Sequence, residues 1–358
     1  MESLGWTPYF EAQLDRVADA GTMPVRVVEE QRDSYRLMGP SDVYFGRLAG
    51  QLRHRIEGDV AERPCVGDWV MARLPDGGAD GGEALVQRVL PRRTKFSRKE
   101  AGTRSVEQVI AANVDTVFLV QSLNDNLNLR RMERYLALLW ESGAEPVVVL
   151  SKGDLCADPE AVVADVEAVA RGVAVHVVRA LEAGGLDPLR AYVRRGRTVA
   201  LVGSSGVGKS TIVNRFAGEE ILAVREIRED DRGRHTTTSR HLVLLPEGGM
   251  LLDTPGMRTL LMWEGDEGLA RTFGDVEAIA ARCRFRDCTH ETEPGCAVQE
   301  ALETGELEAG RFRSYRKLQR EIIHEAAKTD VRVRRAEAAR WRRIHMEARQ
   351  RLDKRGRR

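Results

Sequence analysis

The chain has no long apolar run, and this absence excludes a membrane-spanning helix. Its longer apolar runs, such as Val147 to Leu150, fall far short of the about 20 residues that a span requires. The first residues, Met1 to Trp6, lack a basic stretch followed by an apolar one, so no secretion signal is visible. We therefore expect a cytoplasmic protein without a membrane partner.

Cysteine is also scarce, with five in 358 residues. Cys65 and Cys156 stand alone in the sequence and are interpreted as small buried side chains. The other three cluster with a histidine. In a chain expected in the cytoplasm, such a cluster indicates a metal site rather than disulfide bonds.

The chain as a whole has almost no net charge, but its last residues have a large excess of positive charge. The net charge is +1, yet residues 311–358 contain 18 Lys or Arg against 6 Asp or Glu. A solvated helix with internal salt bridges is the simple explanation, but so few acidic side chains cannot balance the basic ones. The segment is therefore typical of one that contacts nucleic acid or another polyanion.

The length predicts two or three domains. Five short β segments between residues 25 and 90 indicate a small closed barrel, an OB-fold or an SH3-like barrel. The basic stretch 91–99 is interpreted as a mobile linker. From residue 115, apolar strands alternate with helices, which indicates a parallel sheet covered on both faces. We predict a multidomain chain with an N-terminal helical arm, an OB-fold barrel, an α/β P-loop domain, an α-helical metal-binding domain and a basic helical tail, at residues 1–20, 21–95, 96–265, 266–330 and 331–358.

A phosphate-binding loop is predicted at residues 203–210, which fit the pattern G-x-x-x-x-G-K-[ST] directly after an apolar strand. The glycines of such a loop let backbone N–H groups surround phosphate oxygens at a helix N-terminus. We expect Lys209 to reach the β- and γ-phosphates, Ser210 to ligate Mg²⁺ and Thr211 to contact the α-phosphate. The candidate nucleotide-binding residues here are Gly203, Ser204, Ser205, Gly206, Val207, Gly208, Lys209, Ser210 and Thr211.

Two further segments have the composition of nucleotide switches. An apolar strand ends in Asp-Thr-Pro-Gly, in which Asp253 is predicted to bind Mg²⁺ through water and the Gly256 N–H to contact the γ-phosphate. Upstream of it, a charged loop contains three consecutive threonines. We select Thr237 among these three to complete the Mg²⁺ shell. Such a loop is ordered by the triphosphate and released after hydrolysis.

The base is predicted to be read about fifty residues before the phosphate loop. Ser151, Lys152 and Asp154 follow a buried strand in the pattern S-K-x-D. The Asp154 carboxylate accepts hydrogen bonds from guanine N1–H and N2–H₂, a donor pair that adenine lacks. The stem of Lys152 lies along the base, and Ala180 supplies the small residue of a second base-contact loop. Ser151 and Arg179 depart from the residues usual in these motifs, which are Asn or Thr and Ser respectively.

A metal site is predicted at Cys283, Cys288, His290 and Cys296, which lie within fourteen residues of one another. Three thiolates and an imidazole suit a tetrahedral Zn²⁺ ion. Four protein ligands leave no open coordination position, so we predict a structural ion rather than a catalytic one. Its removal is expected to unfold the surrounding domain.

The order of these motifs narrows the class of protein. In ordinary small GTPases the base-reading loop follows the phosphate loop, whereas here it precedes it, as in circularly permuted GTPases. With a barrel upstream and the Cys/His cluster downstream, residues 20–330 resemble the ribosome small subunit-dependent GTPase A (RsgA) family. The resemblance is carried by residues 203–211, 233–238 and 253–256 and by the four candidate metal ligands.

The resemblance implies an OB-fold, a permuted GTPase domain with Mg²⁺ at its nucleotide, and a zinc domain. It also implies hydrolysis of GTP to GDP and phosphate, stimulated by the 30S ribosomal subunit as a checkpoint late in that subunit's maturation. The implied partners are the 30S subunit and its 16S rRNA, and the protein is expected to be a monomer.

Hydrolysis needs a group that orients water, and the usual one is missing. Met257 occupies the position of the glutamine that does this in Ras-like enzymes. We therefore predict slow intrinsic turnover. His235, beside the threonines, is a candidate for this task, and a surface histidine without a catalytic role is the alternative. Two other functions stay open: an RNA-binding module without turnover, which Met257 favours, and a P-loop ATPase or metabolite kinase, which Asp154 disfavours.

Overall fold

The structure is a computed structural model that describes residues 1–17, 21–31, 34–76, 78–99, 107–124, 127–218, 240–253, 266–291 and 293–329. Contacts divide the chain into two units, residues 1–101 with 106–261 and residues 102–105 with 262–358. Within the described ranges, no helix is long and apolar enough to cross a bilayer. The predicted boundary at residue 95 lies inside the first unit and stays a prediction.

The N-terminal arm is held by aromatic packing. It contains two short helices, α1 (Pro8–Glu11) and α2 (Leu14–Val17), rather than one continuous helix. The ring of Phe10 is buried, with its centroid 6.0 Å from that of Trp69. Trp6 stands edge-on to the same Trp69 at 4.8 Å. Because helices of four residues have little stability of their own, this ring burial keeps the arm in place.

A closed barrel of five strands follows the arm. Its strands are β1 (Met23–Gln31), β2 (Ser34–Met38), β3 (Val43–Leu48), β4 (Trp69–Arg73) and β5 (Ala84–Val89). They pair in the order β1-β2-β3-β5-β4, and β4 closes the barrel by pairing with β1. Helix α3 (Gly50–Gly58) connects β3 to β4 and buries Leu52 in the barrel core. This arrangement is an OB-fold and confirms the first of the two predicted barrels.

Residues 91–99 are held in place, so their interpretation as a mobile linker was wrong. The Arg92 guanidinium makes two bonds to the buried carboxylate of Asp68, at 2.9 and 2.8 Å. Lys95–Lys99 forms strand β6, which pairs with β7 (Glu107–Ala112). Three of the basic side chains that suggested a linker, those of Arg92, Arg93 and Lys95, have acidic partners in the folded chain.

The rest of the first unit is an α/β sheet. Its strands are β8 (Thr116–Ser122), β9 (Glu145–Ser151), β10 (Ala174–Val177), β11 (Thr198–Val202), β12 (Arg240–Leu244) and β13 (Met250–Asp253). Its helices are α4 (Leu129–Glu141), α5 (Pro159–Val169), α6 (Asp187–Arg190) and α7 (Lys209–Ala217). The strand order is β10-β9-β8-β11-β13-β12, in which only β12 is antiparallel to its neighbour. Every residue of β8 is buried, as expected of a strand covered on both faces.

The barrel and the α/β sheet are continuous. Strand β12 pairs antiparallel with β1, with Glu29 opposite His241. Arg26 is buried at this junction and donates hydrogen bonds to the Asn113 carbonyl (3.1 Å) and to Thr198 Oγ1 (2.9 Å). Burial lowers the pKa of Arg26 to about 10. The two predicted domains therefore share one eleven-stranded sheet.

The described part of the second unit is helical. Its helices are α8 (Asp266–Thr272), α9 (Gly274–Ala280), α10 (Ala297–Thr304) and α11 (Ala309–Thr329). Arg311 on α11 makes two bonds to the Asp275 carboxylate on α9, at 2.6 and 2.8 Å. The Tyr315 hydroxyl donates to Glu277 at 2.7 Å. These bonds fix α11 on α9, while the tail predicted at 331–358 lies outside the described residues.

Candidate nucleotide site and metal centre

The predicted nucleotide-binding segments meet at one edge of the α/β sheet. Strand β11 ends directly before the phosphate loop, β9 ends at Ser151, and β10 ends shortly before Ala180. Strand β13 ends at Asp253. Because these neighbouring strands are parallel, their carboxyl ends lie at the same edge, which is where open α/β sheets bind ligands. Segments far apart in the sequence are thus brought together.

The phosphate loop has the backbone that its glycines predict. Gly203 has φ +149°, and a Cβ there would lie 2.2 Å from the Val120 carbonyl oxygen, so no other residue fits without moving β8. Gly206 and Gly208 also have positive φ, of 76° and 94°. Helix α7 then begins at Lys209, so the loop directs backbone N–H groups of a helix N-terminus to the edge of the sheet.

Lys209 folds back over this loop. Its Nζ donates to the carbonyls of Gly203 (3.0 Å) and Ser204 (2.7 Å). Ser210 and Thr211 lie in the first turn of α7 and are half-buried. The ammonium group is thereby held within the curve of the loop, where an anion between the backbone N–H groups would meet it.

Ser151 ties the first base-reading loop to the phosphate loop. Its side chain is 2% exposed, and its hydroxyl donates to the Val207 carbonyl at 2.6 Å. The same oxygen lies 3.2 Å from the Gln121 carbonyl. The sequence marked this serine as a departure from the usual motif, but its short hydroxyl reaches the phosphate loop directly.

The residues after Ser151 form a tight turn. Lys152 has the left-handed conformation, with φ 59°, and the following 3-10 turn spans Gly153–Leu155. A Cβ at Gly153 would lie 2.6 Å from Val177 Cγ1, so a larger residue would force the Val177 side chain to move. The turn leaves Asp154 exposed at the edge of the sheet. Its carboxylate is therefore accessible to a ligand that approaches this edge.

The second base-contact loop is held by a residue that the sequence analysis missed. Arg215, in the last turn of α7, donates through Nε to the Ala180 carbonyl at 2.9 Å. Its Nη2 lies 3.4 Å from the Leu181 carbonyl and 3.2 Å from that of Glu182. One side chain on the phosphate-loop helix thus holds three consecutive carbonyls. Nothing in the local sequence distinguishes Arg215 from other surface arginines.

The predicted switch residues are described only in part. Thr237, His235, Gly256 and Met257 lie outside the described residues. For Asp253 the structure gives the backbone, which is the last position of β13, opposite His241 on β12. Since β13 is the parallel neighbour of β11, Asp253 ends its strand at the edge that carries the phosphate loop.

The four predicted metal ligands converge in the second unit. The ligand atoms of Cys283, Cys288, His290 and Cys296 all lie within 4.8 Å of one another. Cys283 Sγ is 3.9 Å from Cys296 Sγ, and each of these sulfurs is 3.5 Å from His290 Nδ1. A zinc tetrahedron with its usual bond lengths places sulfurs about 3.8 Å apart and a nitrogen about 3.6 Å from each sulfur. This arrangement can hold a metal ion.

The surroundings of the cluster suit a metal. Burial opposes ionisation of Cys283, but hydrogen bonds from the backbone at Val298 and Ala297 and from the Cys296 and Cys288 thiols together lower the pKa of this thiol. Burial, with Arg316 nearby, lowers the pKa of His290 and favours the neutral imidazole that binds metals. All five cysteines of the chain are free. Cys65 is buried as predicted, whereas Cys156 is only half-buried.

The loop that carries the ligands is ordered by its own polar groups. Glu293 accepts hydrogen bonds from the Thr289 N–H (2.8 Å) and hydroxyl and from the Glu291 N–H (3.0 Å). The bonds from Thr289 hold the pKa of Glu293 well below its usual range. His290 itself has φ 59°. The chain therefore turns sharply at the one ligand that is not a cysteine.

Fold and site together define a class of protein. A phosphate loop followed by a helix, on a parallel sheet whose base-reading loop comes earlier in the chain, is the arrangement of a circularly permuted P-loop GTPase. The OB-fold upstream and the Cys/His cluster downstream define a narrower class within the permuted GTPases.

Comparisons with known proteins identify the family. The family model described as RsgA GTPase matches residues 89–263. The Small ribosomal subunit biogenesis GTPase RsgA of Opitutus terrae is 44% identical, over 99% of this chain and 98% of its own. The crystal structure of YjeQ from Thermotoga maritima matches with a TM-score of 0.62 and 25% identity, over 84% of this chain and 99% of that one.

A second solved structure supports the permuted fold. It is that of YloQ, described as a circularly permuted GTPase, with a TM-score of 0.58 and 23% identity over 85% of this chain and 96% of that one. The chain belongs to the RsgA GTPase family, and it is a GTP-hydrolysing enzyme. The family resemblance inferred from the motifs is confirmed.

Proposed function

We propose that this enzyme hydrolyses GTP on the small (30S) ribosomal subunit and acts as a checkpoint late in that subunit's maturation. The relative from Opitutus terrae is named for small ribosomal subunit biogenesis, and it aligns over nearly the whole chain. The binding of the nucleotide is supported above all by one observation: side-chain hydrogen bonds join both base loops to the phosphate-binding element. Ser151 joins the first loop to the phosphate loop, and Arg215 joins the second loop to helix α7.

Each predicted residue has a role in this proposal. Residues 203–211 hold the phosphates, and Lys209 exchanges the carbonyls of its own loop for β- and γ-phosphate oxygens. Asp154 accepts the guanine N–H groups while Lys152 and Ala180 flank the base. Ser210, Thr237 and Asp253 would hold Mg²⁺, which would neutralise phosphate charge.

The hydrolytic step requires help from outside the phosphate loop. The hydrophobic side chain of Met257 cannot orient water, so we propose slow turnover in the free enzyme and faster turnover on the subunit. His235 is our candidate for the water-positioning group, with Thr237 beside it at the triphosphate. Replacing His235 by alanine is expected to lower single-turnover hydrolysis on saturating 30S subunits. A rate equal to that of the unsubstituted chain would remove it from the mechanism.

The remaining parts supply contacts and stability. We propose that Cys283, Cys288, His290 and Cys296 hold one structural Zn²⁺, and that the barrel at 21–95 and the basic tail at 331–358 contact 16S rRNA. The enzyme would act as a monomer in the cytoplasm. In the permuted domain at 96–265, Gly256 comes ten residues before the zinc domain at 266–330. We propose that the presence or absence of the γ-phosphate is thereby passed to a part of the chain that faces the subunit.

Hydrolysis of GTP with and without ribosomal particles tests this proposal. Phosphate release is measured with purified 30S, 50S and 70S particles, and Lys209→Ala serves as the inactive control for contaminating GTPases. The proposal predicts that 30S particles raise the rate severalfold and that 50S particles do not. Equal rates with and without 30S particles would contradict it.

A further inference from the structure

An exposed row of side chains crosses the barrel on the face away from its core. On β3, Tyr44, Gly46 and Leu48 are buried, whereas Phe45 and Arg47 point outward. The register places Phe45 opposite Arg36 on β2 and places Arg47 opposite Leu85 on β5. Leu85 in turn lies opposite Arg73 on β4. We call this row the Phe45 face; its members are Arg36, Phe45, Arg47, Leu85 and Arg73.

Phe45 is unusually open to solvent for an aromatic residue. Its side chain is 61% exposed and that of Leu85 is 43% exposed. An isolated exposed apolar residue is ordinary in a folded protein. Here two exposed apolar residues, Phe45 and Leu85, lie diagonally across neighbouring strands, and three arginines are interleaved with them. This regular arrangement differs from isolated exposed apolar residues.

The arginines of the Phe45 face are available to a ligand. Arg36 lies with its guanidinium carbon 5.9 Å from the centre of the Phe45 ring. Its ion pair with Glu29 (3.4 Å) and that of Arg47 with Glu83 (2.8 Å) leave about half of each arginine side chain exposed. The Arg47–Glu83 pair, in which both side chains are about half exposed, is weak, so a phosphate can replace its carboxylate. Glu29 is buried, so Arg36 keeps this partner and offers a phosphate the exposed half of its own side chain. Among the described residues, Arg73 has no acidic partner within ion-pair distance.

An OB-fold commonly binds oligonucleotides across its second and third strands, and these are the strands that carry Arg36 and Phe45. Single-stranded nucleic acid is bound by aromatic rings that stack on bases and by cations that follow the backbone. An A-form duplex hides its base faces and offers Phe45 nothing to stack on. A protein partner would favour a wider apolar centre with fewer charges.

We propose that the Phe45 face binds single-stranded RNA, with one base stacked on Phe45 and backbone phosphates held by Arg36, Arg47 and Arg73. The inference deepens the proposed function, since it assigns the contact with ribosomal RNA to one face and one form of RNA. The inference rests on the proposed function only for the statement that the RNA is ribosomal. Its test uses oligonucleotides, so that its failure is distinguishable from a failure of subunit-stimulated hydrolysis.

Binding of a fluorescent 12-nucleotide single-stranded RNA to the full chain tests the stacking contact. Phe45→Ala is expected to weaken binding about 5- to 100-fold, the range for loss of one base–aromatic stack. Phe45→Trp is expected to restore binding. Leu244→Ala removes a similarly exposed apolar side chain from β12 and is expected to change nothing. Melting temperature and basal GTP hydrolysis should be the same in all three variants.

Three outcomes would overturn the proposal. The first is that Phe45→Ala binds the single strand as tightly as the unsubstituted chain. The second is that an RNA hairpin duplex is bound as tightly as the single strand and depends equally on Phe45. The third is that Phe45→Ala weakens binding to 30S subunits but not to the oligonucleotide, which would assign the face to a ribosomal protein.

Salt dependence tests the phosphate contacts separately. For single strands, each phosphate contact contributes about 0.7 to the slope of log affinity against log salt. Arg73→Gln is expected to reduce the slope by about this amount. Arg53→Gln, on the exposed surface of α3 and outside the Phe45 face, is the matched control and should leave the slope unchanged. Equal slopes for Arg73→Gln and the unsubstituted chain would remove Arg73 from the interface.

Discussion

The nucleotide site and the metal centre are built in opposite ways. The nucleotide site draws on loops from Ser151 to Arg215 that are fixed by a buried parallel sheet and by side-chain ties between them. The metal centre uses four residues from Cys283 to Cys296, a stretch whose described residues (all but 292) form no strand or helix. One site is organised by the fold around it, and the other lies in a segment with little secondary structure of its own.

The two sites therefore obtain their stability from different sources. The strands beneath the nucleotide site are buried through apolar side chains, such as residues 117–120 of β8, and need no ligand for this. Around the metal centre, Cys296 is buried, but the other three ligands are only half-buried. We therefore expect the nucleotide site to persist without its ligand and the metal centre to depend on its ion.

The largest effect is expected from a substitution in the first unit that impairs nucleotide hydrolysis without affecting the fold. Lys209→Ala removes the cation that the phosphate loop holds in place, and hydrolysis of GTP is expected to fall about 100- to 1,000-fold. Circular dichroism and zinc content should not change, because the metal ligands belong to the other unit. Loss of zinc together with activity would contradict the independence of the two sites.

Removal of the metal is the reciprocal experiment. A chelator, or Cys288→Ser, is expected to unfold residues around α9 and α10, as measured by increased amide hydrogen exchange there. Exchange in β8, β9 and β11 should stay slow. Cys65→Ser is the control for a cysteine outside the cluster. Slow exchange around α10 after complete metal removal would contradict a metal-dependent fold.

A smaller effect is expected at the second base-contact loop. Arg215→Ala removes three bonds to the carbonyls of residues 180–182, and the Kd for GTP is expected to rise about tenfold. Arg215→Lys keeps the charge but not the forked geometry and should recover part of the loss. The preference for GTP over ATP should fall as well, since only the base contacts are disturbed. Unchanged affinity and preference in the alanine variant would assign Arg215 to the surface.

The smallest effect is expected at Ser151. Ser151→Ala leaves the buried Val207 carbonyl without this donor, which is expected to cost about 1 kcal/mol in the free energy of unfolding. Ser151→Thr keeps the hydroxyl and should restore most of it. Denaturant titration of both variants provides the measurement, and equal midpoints for alanine and serine would show that the tie does not stabilise the site.

The phosphate loop and the Cys/His cluster could be predicted from the sequence because their chemistry is local. The phosphate loop needs glycines at fixed spacing, and the structure has the predicted order of strand, loop and helix, with the helix starting at Lys209. The Cys/His cluster is likewise defined by residues within one short segment. For both, spacing alone carries the geometry, and no distant partner has to be known.

What could not be predicted depends on distant partners. Arg215 reaches carbonyls more than thirty residues earlier, and no spacing rule connects an exposed arginine with them. The basic stretch 91–99 was misread as a linker because the acidic partner of Arg92, Asp68, lies outside it. The pairing of β1 with β12 joins two predicted domains through strands that are far apart in sequence. Each of these contacts exists only in the folded chain.

We propose that Asp154, a carboxylate upstream of the phosphate loop, reads guanine. Asp154→Asn replaces an acceptor of the guanine N2–H₂ group by an amide whose N–H can donate to the O2 carbonyl of xanthine. Measured as kcat/KM, hydrolysis by this variant is predicted to favour XTP over GTP, the reverse of the unsubstituted chain. An Asp154→Asn variant that still prefers GTP over XTP would contradict the assignment of the base-reading loop.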